Sequence, residues 1–241
     1  MVAAVSPVAA KVREAEISLN PSSYELKRKP RLVEQLRLPC CVSTALTAGM
    51  ETLTENWPTL SPLFHYHVTR FDWGGANADG FLILSRALTV LDAKGICTEE
   101  LHHSEYTEEA AARRPSSAAY RDGLTRLPLP LQSRYTHFSG ASRVVWMREQ
   151  LRRDRPVIIG FVLPMNYPGS LKAPNFEWLY ANDPMPSASG HCVVALGYDD
   201  SRRTFRVQDS QGERLFRKGC WEMGYSIVDS PIVQEIYSLN S

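Results

Sequence analysis

Gly190-His-Cys-Val-Val-Ala-Leu-Gly-Tyr-Asp199 opens on a histidine, continues through small and β-branched apolar residues and closes on a turn residue. It reads as a buried strand with one ionisable group at its entrance, delivered to the sheet edge by a turn at Ser187-Ala-Ser-Gly190. Working outward, Pro156-Val-Ile-Ile-Gly-Phe-Val-Leu163 reads as a second buried strand, and Ala141 to about Arg153 before it as a helix. Downstream, Thr204 to Val207, Arg214 to Phe216 and Ile232 to Tyr237 are short candidate strands, separated by turn residues such as Asp199, Asp200, Ser210 and Gly212. The second half of the chain is therefore expected to be mostly sheet.

The first half reads differently. From Val42 to about Trp57 apolar residues recur at helical spacing, and Pro39 marks the entry, so Cys41 falls at a helix N-terminus. A second helix is expected from Phe81 to about Lys94, with Gly95 as its stop. Glu105 to Gly140 is polar and interrupted by Pro115, Pro128 and Pro130, which suits a connection with short helical pieces. Residues 1 to about 30, with the basic cluster Lys27 to Arg31 at their end, read as an extended lead-in that is not a packed element.

Composition excludes several classes of function. The 241 residues are 44% hydrophobic and 22% charged, enough for a real core, and 27 basic against 26 acidic residues give a net charge of +1. No field draws such a chain to nucleic acid or to an anionic membrane, and its longest apolar runs fall short of the ~20 residues that cross a bilayer. Five cysteines, an odd number without regular spacing, indicate at least one free thiol and a reducing, cytoplasmic setting. The start of the chain lacks the order of a secretory signal, because Lys11 and Arg13 follow the small apolar stretch where a basic region would precede it.

Covalent catalysis by sulfur needs a thiolate, and an ordinary cysteine, with a pKa of about 8.5, is mostly protonated at neutral pH. The unpaired amides and aligned dipoles of a helix N-terminus favour the anion, which singles out Cys41; a nearby imidazolium favours it further, and His191 is the leading base. An imidazole that acts as both acid and base must be held in one tautomer by a partner on its other nitrogen, and Asp209 after the Thr204 to Val207 strand supplies an oxygen for that. Cys40 competes with Cys41 as nucleophile but reads as a packing residue, as do Cys97, Cys192 and Cys220. His65, His67, His102 and His103 show no zinc-type spacing with the cysteines, so no metal site is assigned.

Together Gln35, Cys41, His191, Asp209 and Gly219 resemble the papain family of cysteine peptidases, in its compact bacterial branch, over about residues 30 to 228. In that family a glutamine six residues before the nucleophile donates its amide to the oxyanion, and 41 − 35 is 6. The family's histidine strand is followed by Val-Gly-Tyr-Asp, matched here by Leu196-Gly-Tyr-Asp199 with leucine in place of valine. Its third member is an asparagine in Asn-Ser-Trp-Gly with a glycine ten residues on; Asp209-Ser-Gln-Gly212 and Gly219 keep that frame with two changes.

The resemblance implies an α+β, two-lobed papain-like fold. A helical lobe would span about 41–130 and an antiparallel, β-barrel-like lobe about 131–241, with the active site in the cleft between them. It also implies a peptide or protein substrate, no cofactor, no inhibitory pro-region in the lead-in, and substrate contacts at Gly80 and Gly190. A regulatory partner is left open. Asp209 in place of asparagine adds a negative charge that favours the imidazolium. Gln211 in place of tryptophan leaves the contact with the histidine wetter. The familiar Cys-Gly-Ser-Cys-Trp is reduced to Leu38-Pro-Cys-Cys-Val42. Two other readings stay open: a transglutaminase-like or acyltransferase enzyme on the same triad, and a papain-fold binding module without catalysis.

Overall fold

The structure is a computed structural model that describes residues 21–53, 58–127, 141–164, 186–212 and 219–240. Its strands are β1 (Ser23–Glu25), β2 (Val157–Pro164), β3 (Pro186–Asp199), β4 (Thr204–Gln208), β5 (Cys220–Gly224) and β6 (Val233–Ser238). The helices are α1 (Cys41–Leu53), α2 (Pro62–His67), α3 (Leu84–Lys94), α4 (Glu108–Ala112), α5 (Ser117–Leu124), α6 (Ala141–Arg152) and α7 (Tyr225–Val228), and α2 runs on into a wider turn over Val68–Asp72. Helices dominate the first half and an antiparallel sheet the second, which makes this an α+β fold. Among the described residues no helix is long and apolar enough to cross a membrane.

The sheet is organised on β3. Its order among the described residues is β5-β4-β3-β2-β6, with β1 pairing on β3 off this path. Strand β2 pairs along β3 from Pro164↔Pro186 to Val157↔Ala195, and β1 takes over the same edge from Glu25↔Gly197. A segment expected to be an unpacked lead-in thus contributes a strand, and Leu26 behind it is buried in the core. Ser23-Tyr-Glu25 has no apolar alternation to announce this; it is held by its backbone pairing and by Tyr24, whose hydroxyl donates to Asp154 at 2.6 Å.

Helix α1 packs against β3 and β2 and is buried around nearly its whole circumference. The carbonyl of Cys40 accepts the N–H of Thr44 at 3.0 Å, so Cys41 is the first residue of the helix proper. Close approach to the sheet depends on Gly49, where a Cβ would stand 2.7 Å from Leu239 Cδ1 and 3.2 Å from Ile158 Cδ1. Large side chains such as Leu46, Met50, Leu63 and Tyr66 are wholly buried around it, each worth about 1.5–3 kcal/mol by removal from water.

Two helical boundaries depart from expectation. Helix α2 was not anticipated, because Leu63, Phe64, His65, Tyr66 and His67 are all buried and leave no polar face to give a period. Its start is nonetheless written in Ser61-Pro62: the serine hydroxyl accepts the N–H of Phe64 at 3.1 Å and proline fills the first turn. Helix α3 begins at Leu84 instead of Phe81, since Asn77 Oδ1 accepts the N–H groups of Asp79 (3.1 Å) and Phe81 (3.0 Å) and holds the preceding residues in a loop. The expected strand at 214–216, the end of the first helix at 54–57 and residues 128–140 of the connection lie outside the described residues.

Candidate active site

Three elements carry the candidate residues to one place. Cys41 comes on the first turn of α1, His191 on β3 and Asp209 just after β4. His191 does not open its strand as expected: β3 starts at Pro186, and His191 lies inside it, directly across from Phe161 on β2. The two rings meet edge-on, with centroids 5.6 Å apart. Strand register explains the next contact. Val194 pairs with Gln208, so one step further places Asp209 beside residue 193 and on the same side of the pleat as residue 191.

His191 Nε2 lies 3.0 Å from both carboxylate oxygens of Asp209 and donates to them. Its other ring nitrogen is thereby left for Cys41, which lines the same cleft and interacts electrostatically with the ring. Burial by itself would drive the imidazole toward its neutral form. The charge and hydrogen bond of Asp209, followed by those of Cys41, outweigh it and hold the pKa of His191 well above the ordinary histidine value. The ring therefore stays charged where most histidines are neutral.

Asp209 is held on every side. Its carboxylate also accepts the backbone N–H of Gln211 at 3.0 Å and the indole N–H of Trp221 at 3.0 Å. Its own N–H donates to the Gly219 carbonyl at 2.8 Å. Gly219 has φ +63°, and a Cβ there would fall 1.9 Å from Leu32 Cδ1, so only glycine serves. The contact is not wet as Gln211 led us to expect: the side chains of His191 and Asp209 are 3% and 0% exposed. Trp221 on β5 does the covering, with Phe161 against both it and His191. The sequence reading missed Trp221. Its signal lies in a strand pairing, Val207↔Trp221, and not in a local motif.

Gln35 is buried beside this group. Its backbone N–H donates to the Ser210 carbonyl at 2.8 Å, its side-chain oxygen accepts from the Ser210 hydroxyl, and its Nε2 donates to the Leu38 carbonyl at 2.8 Å. An amide nitrogen carries two hydrogens, so one remains beyond the bond to Leu38. Gly190 lines a cleft of about 320 Å³ together with Cys41 and His191. Gly80 does not line it; its neighbour Phe81 does, and the Gly80 carbonyl accepts from the Tyr66 hydroxyl at 2.9 Å.

The other thiols differ from Cys41. All five cysteines are free. Burial pushes the Cys40 and Cys192 thiols far up, the charge of Cys41 adding to it, and pushes Cys97 up to about 12. These three stay protonated and inert, as packing residues. Cys220 is not a core thiol as expected: it is half-buried and interacts electrostatically with Arg206. Among the histidines, His65 is satisfied by the Ser43 hydroxyl at 2.9 Å and the Ala87 carbonyl at 3.0 Å, and His67 Nδ1 by the Ala111 carbonyl at 3.0 Å. Among the described residues no group of three or more His, Cys, Asp or Glu is arranged to hold a metal ion.

Comparison with known proteins bears on the family and the fold. The model of the Peptidase_C39 like family matches residues 90–223, a span that contains His191, Asp209 and Trp221 and stops short of Cys41. An uncharacterized peptidase C1-like protein of Acanthamoeba polyphaga mimivirus is 23% identical over 232 residues, which cover 85% of this chain and 70% of the viral protein. Xylellain, a cysteine protease from Xylella fastidiosa, superposes with a TM-score of 0.74 at 20% identity, over 95% of this chain and 89% of that one. A Carica candamarcensis cysteine protease does so with a TM-score of 0.62 at 13% identity, over 92% and 100%. At these identities the solved structures establish the fold.

Proposed function

The chain belongs to the Peptidase_C39 like family and is a papain-like cysteine-type peptidase, and from that premise we propose that it hydrolyses peptide bonds with Cys41 as nucleophile, His191 as acid and base, Asp209 as the group that orients His191, and Gln35 as an oxyanion donor. The observation that carries the reading is the position of His191, hydrogen-bonded to Asp209 through Nε2 and set beside Cys41 in the wall of one cleft. In the first step the Cys41 sulfur attacks the carbonyl carbon of a peptide or protein substrate. The resulting oxyanion takes hydrogen bonds from the free Nε2–H of Gln35 and from the backbone N–H of Cys41, which has no intrahelical partner in the first turn. His191 delivers its proton to the departing amine, and a thioester to Cys41 remains. Water then enters, His191 takes one of its protons, and the second tetrahedral intermediate collapses to release the acid and restore the thiol. Asp209 keeps Nε2–H occupied throughout, so the catalytic nitrogen always faces the sulfur.

The five free thiols suit a reducing compartment, the cytoplasm, as the working location. Mass spectrometry of a mixed peptide pool tests the activity directly. Wild type should create new N-termini with water alone, and Cys41→Ala should create none. Products that appear only after an amine or another acyl acceptor is added would replace hydrolysis by acyl transfer, and a pool left intact in both conditions would favour a binding module.

A further inference from the structure

One charged group in the wall of the cleft has no part in the proposed chemistry. Glu235 on β6 lines the same cavity of about 320 Å³ as Cys41 and His191. Most of the wall near it is apolar, formed by Phe81 to Leu84 on one side and by Phe161 and Val162 on the other, with Ser189 and Gln234 as uncharged polar members. The Glu235 carboxylate is half-buried and has no hydrogen bond or ion pair with any described residue. Burial raises its pKa, and no neighbouring cation opposes the shift. Several half-buried carboxylates elsewhere among the described residues do meet a cation: Glu51 and Glu99 pair with Arg31, Asp122 with Arg126 and Asp200 with Arg148.

Space in front of Glu235 is kept open by a glycine. Gly160 on β2 is its direct cross-strand partner. A Cβ at Gly160 would stand 3.2 Å from Leu84 Cδ2 and 3.6 Å from Glu235 Cβ, filling the room between the strand and α3. Among the described residues, a side chain that enters there meets mostly apolar walls and a single carboxylate. An apolar end group would complete the burial of that carboxylate without a partner, which is costly, and an anionic one would be repelled. A lysine or arginine satisfies both halves: its methylene stem lies on the apolar walls and its charged head supplies the missing cation.

We propose that Glu235 makes this cleft select a lysine or arginine side chain in the substrate residue that enters it. The proposal rests on the peptidase reading for its substrate, and its test separates the two. A positional library of fluorogenic peptides is assayed with wild type, Glu235→Gln and Glu235→Lys. At one position wild type should favour Lys or Arg over Leu by at least about tenfold in kcat/KM; Glu235→Gln should bring that ratio to within about twofold of unity, and Glu235→Lys should turn it toward Asp and Glu. A wild type that prefers Leu at every position, or a Glu235→Gln enzyme that keeps the basic preference, overturns the assignment. Agmatine, a free guanidinium, supplies a readout without turnover: it should protect Cys41 from iodoacetamide in wild type, by peptide mapping, and protect at least about tenfold less well in Glu235→Gln. Protection without any peptide cleavage would sink the peptidase reading and keep the cationic pocket. Equal protection in both proteins, or none in wild type, would sink the pocket.

Discussion

Two buried imidazoles, one in each half of the molecule, show what decides their chemistry. His65 lies wholly buried in α2 under α1, bonded to the Ser43 hydroxyl and the Ala87 carbonyl. His191 is as deeply enclosed in β3, bonded to Asp209 and beside Cys41 in the cleft wall. Burial acts on both in the same direction. It carries His65 down to about 4, where only the Ala87 carbonyl opposes it, whereas the neighbouring carboxylate and thiol reverse it at His191. Neutral partners make a structural histidine that is never charged near neutrality. An ionised partner on one nitrogen and a thiol on the other make one that can exchange a proton.

The sharpest way to break that contrast is to alter each ring. His191→Gln, which can still donate to Asp209, should lower kcat/KM by about 10⁴-fold with the fold retained. His65→Ala should leave the chemistry of the folded protein intact but cost about 2–4 kcal/mol through a cavity and two unmet polar groups, lowering Tm by roughly 5–10 °C. Equal losses of Tm with no difference in kcat/KM would remove the distinction. A milder change separates charge from geometry. Because its pKa is raised on folding, the His191 pair contributes fully below the unfolded value of about 6.5 and is lost as pH rises through the folded value. Asp209→Asn removes the charge and leaves burial in command. The alkaline limb of the pH profile should then move to lower pH, with a loss of about tenfold at pH 8 and much less at pH 6; an unchanged profile would contradict the assignment. The smallest effect belongs to Trp221→Phe, which keeps the ring but removes the N–H to Asp209. It should cost about 1.5–3 kcal/mol of stability and a few-fold in kcat, and wild-type values of both would make the indole bond irrelevant.

What the sequence revealed follows the range of the interactions involved. The candidates Cys41, His191 and Asp209 could be picked out because each sits where a local pattern changes: a helical period begins after Pro39, a β-branched run follows Gly190, and a turn follows Val207. Helix α2 was not legible, since a helix buried on all sides has no alternation of polar and apolar residues to display. Strand β1 was hidden for the opposite reason, three polar residues held by backbone pairing far along the chain. Trp221 and Glu235 are set by register. Trp221 reaches Asp209 because β5 pairs with β4, and Glu235 faces the gap at Gly160 because β6 pairs with β2; no spacing along the chain encodes either. The reading of Gln211 as leaving the site wet failed on the same point, because it looked for a covering tryptophan in the adjacent motif and the fold brings one from the next strand.

The central claim is that the sulfur of Cys41 is made reactive by His191, and mass mapping after treatment with an epoxysuccinyl inhibitor in reducing buffer at pH 7 tests it most directly. The account predicts a single adduct on Cys41, formed at least about 100-fold more slowly in His191→Gln. An adduct on Cys40 or Cys220 with Cys41 unmodified, or equal rates in the two proteins, would contradict it.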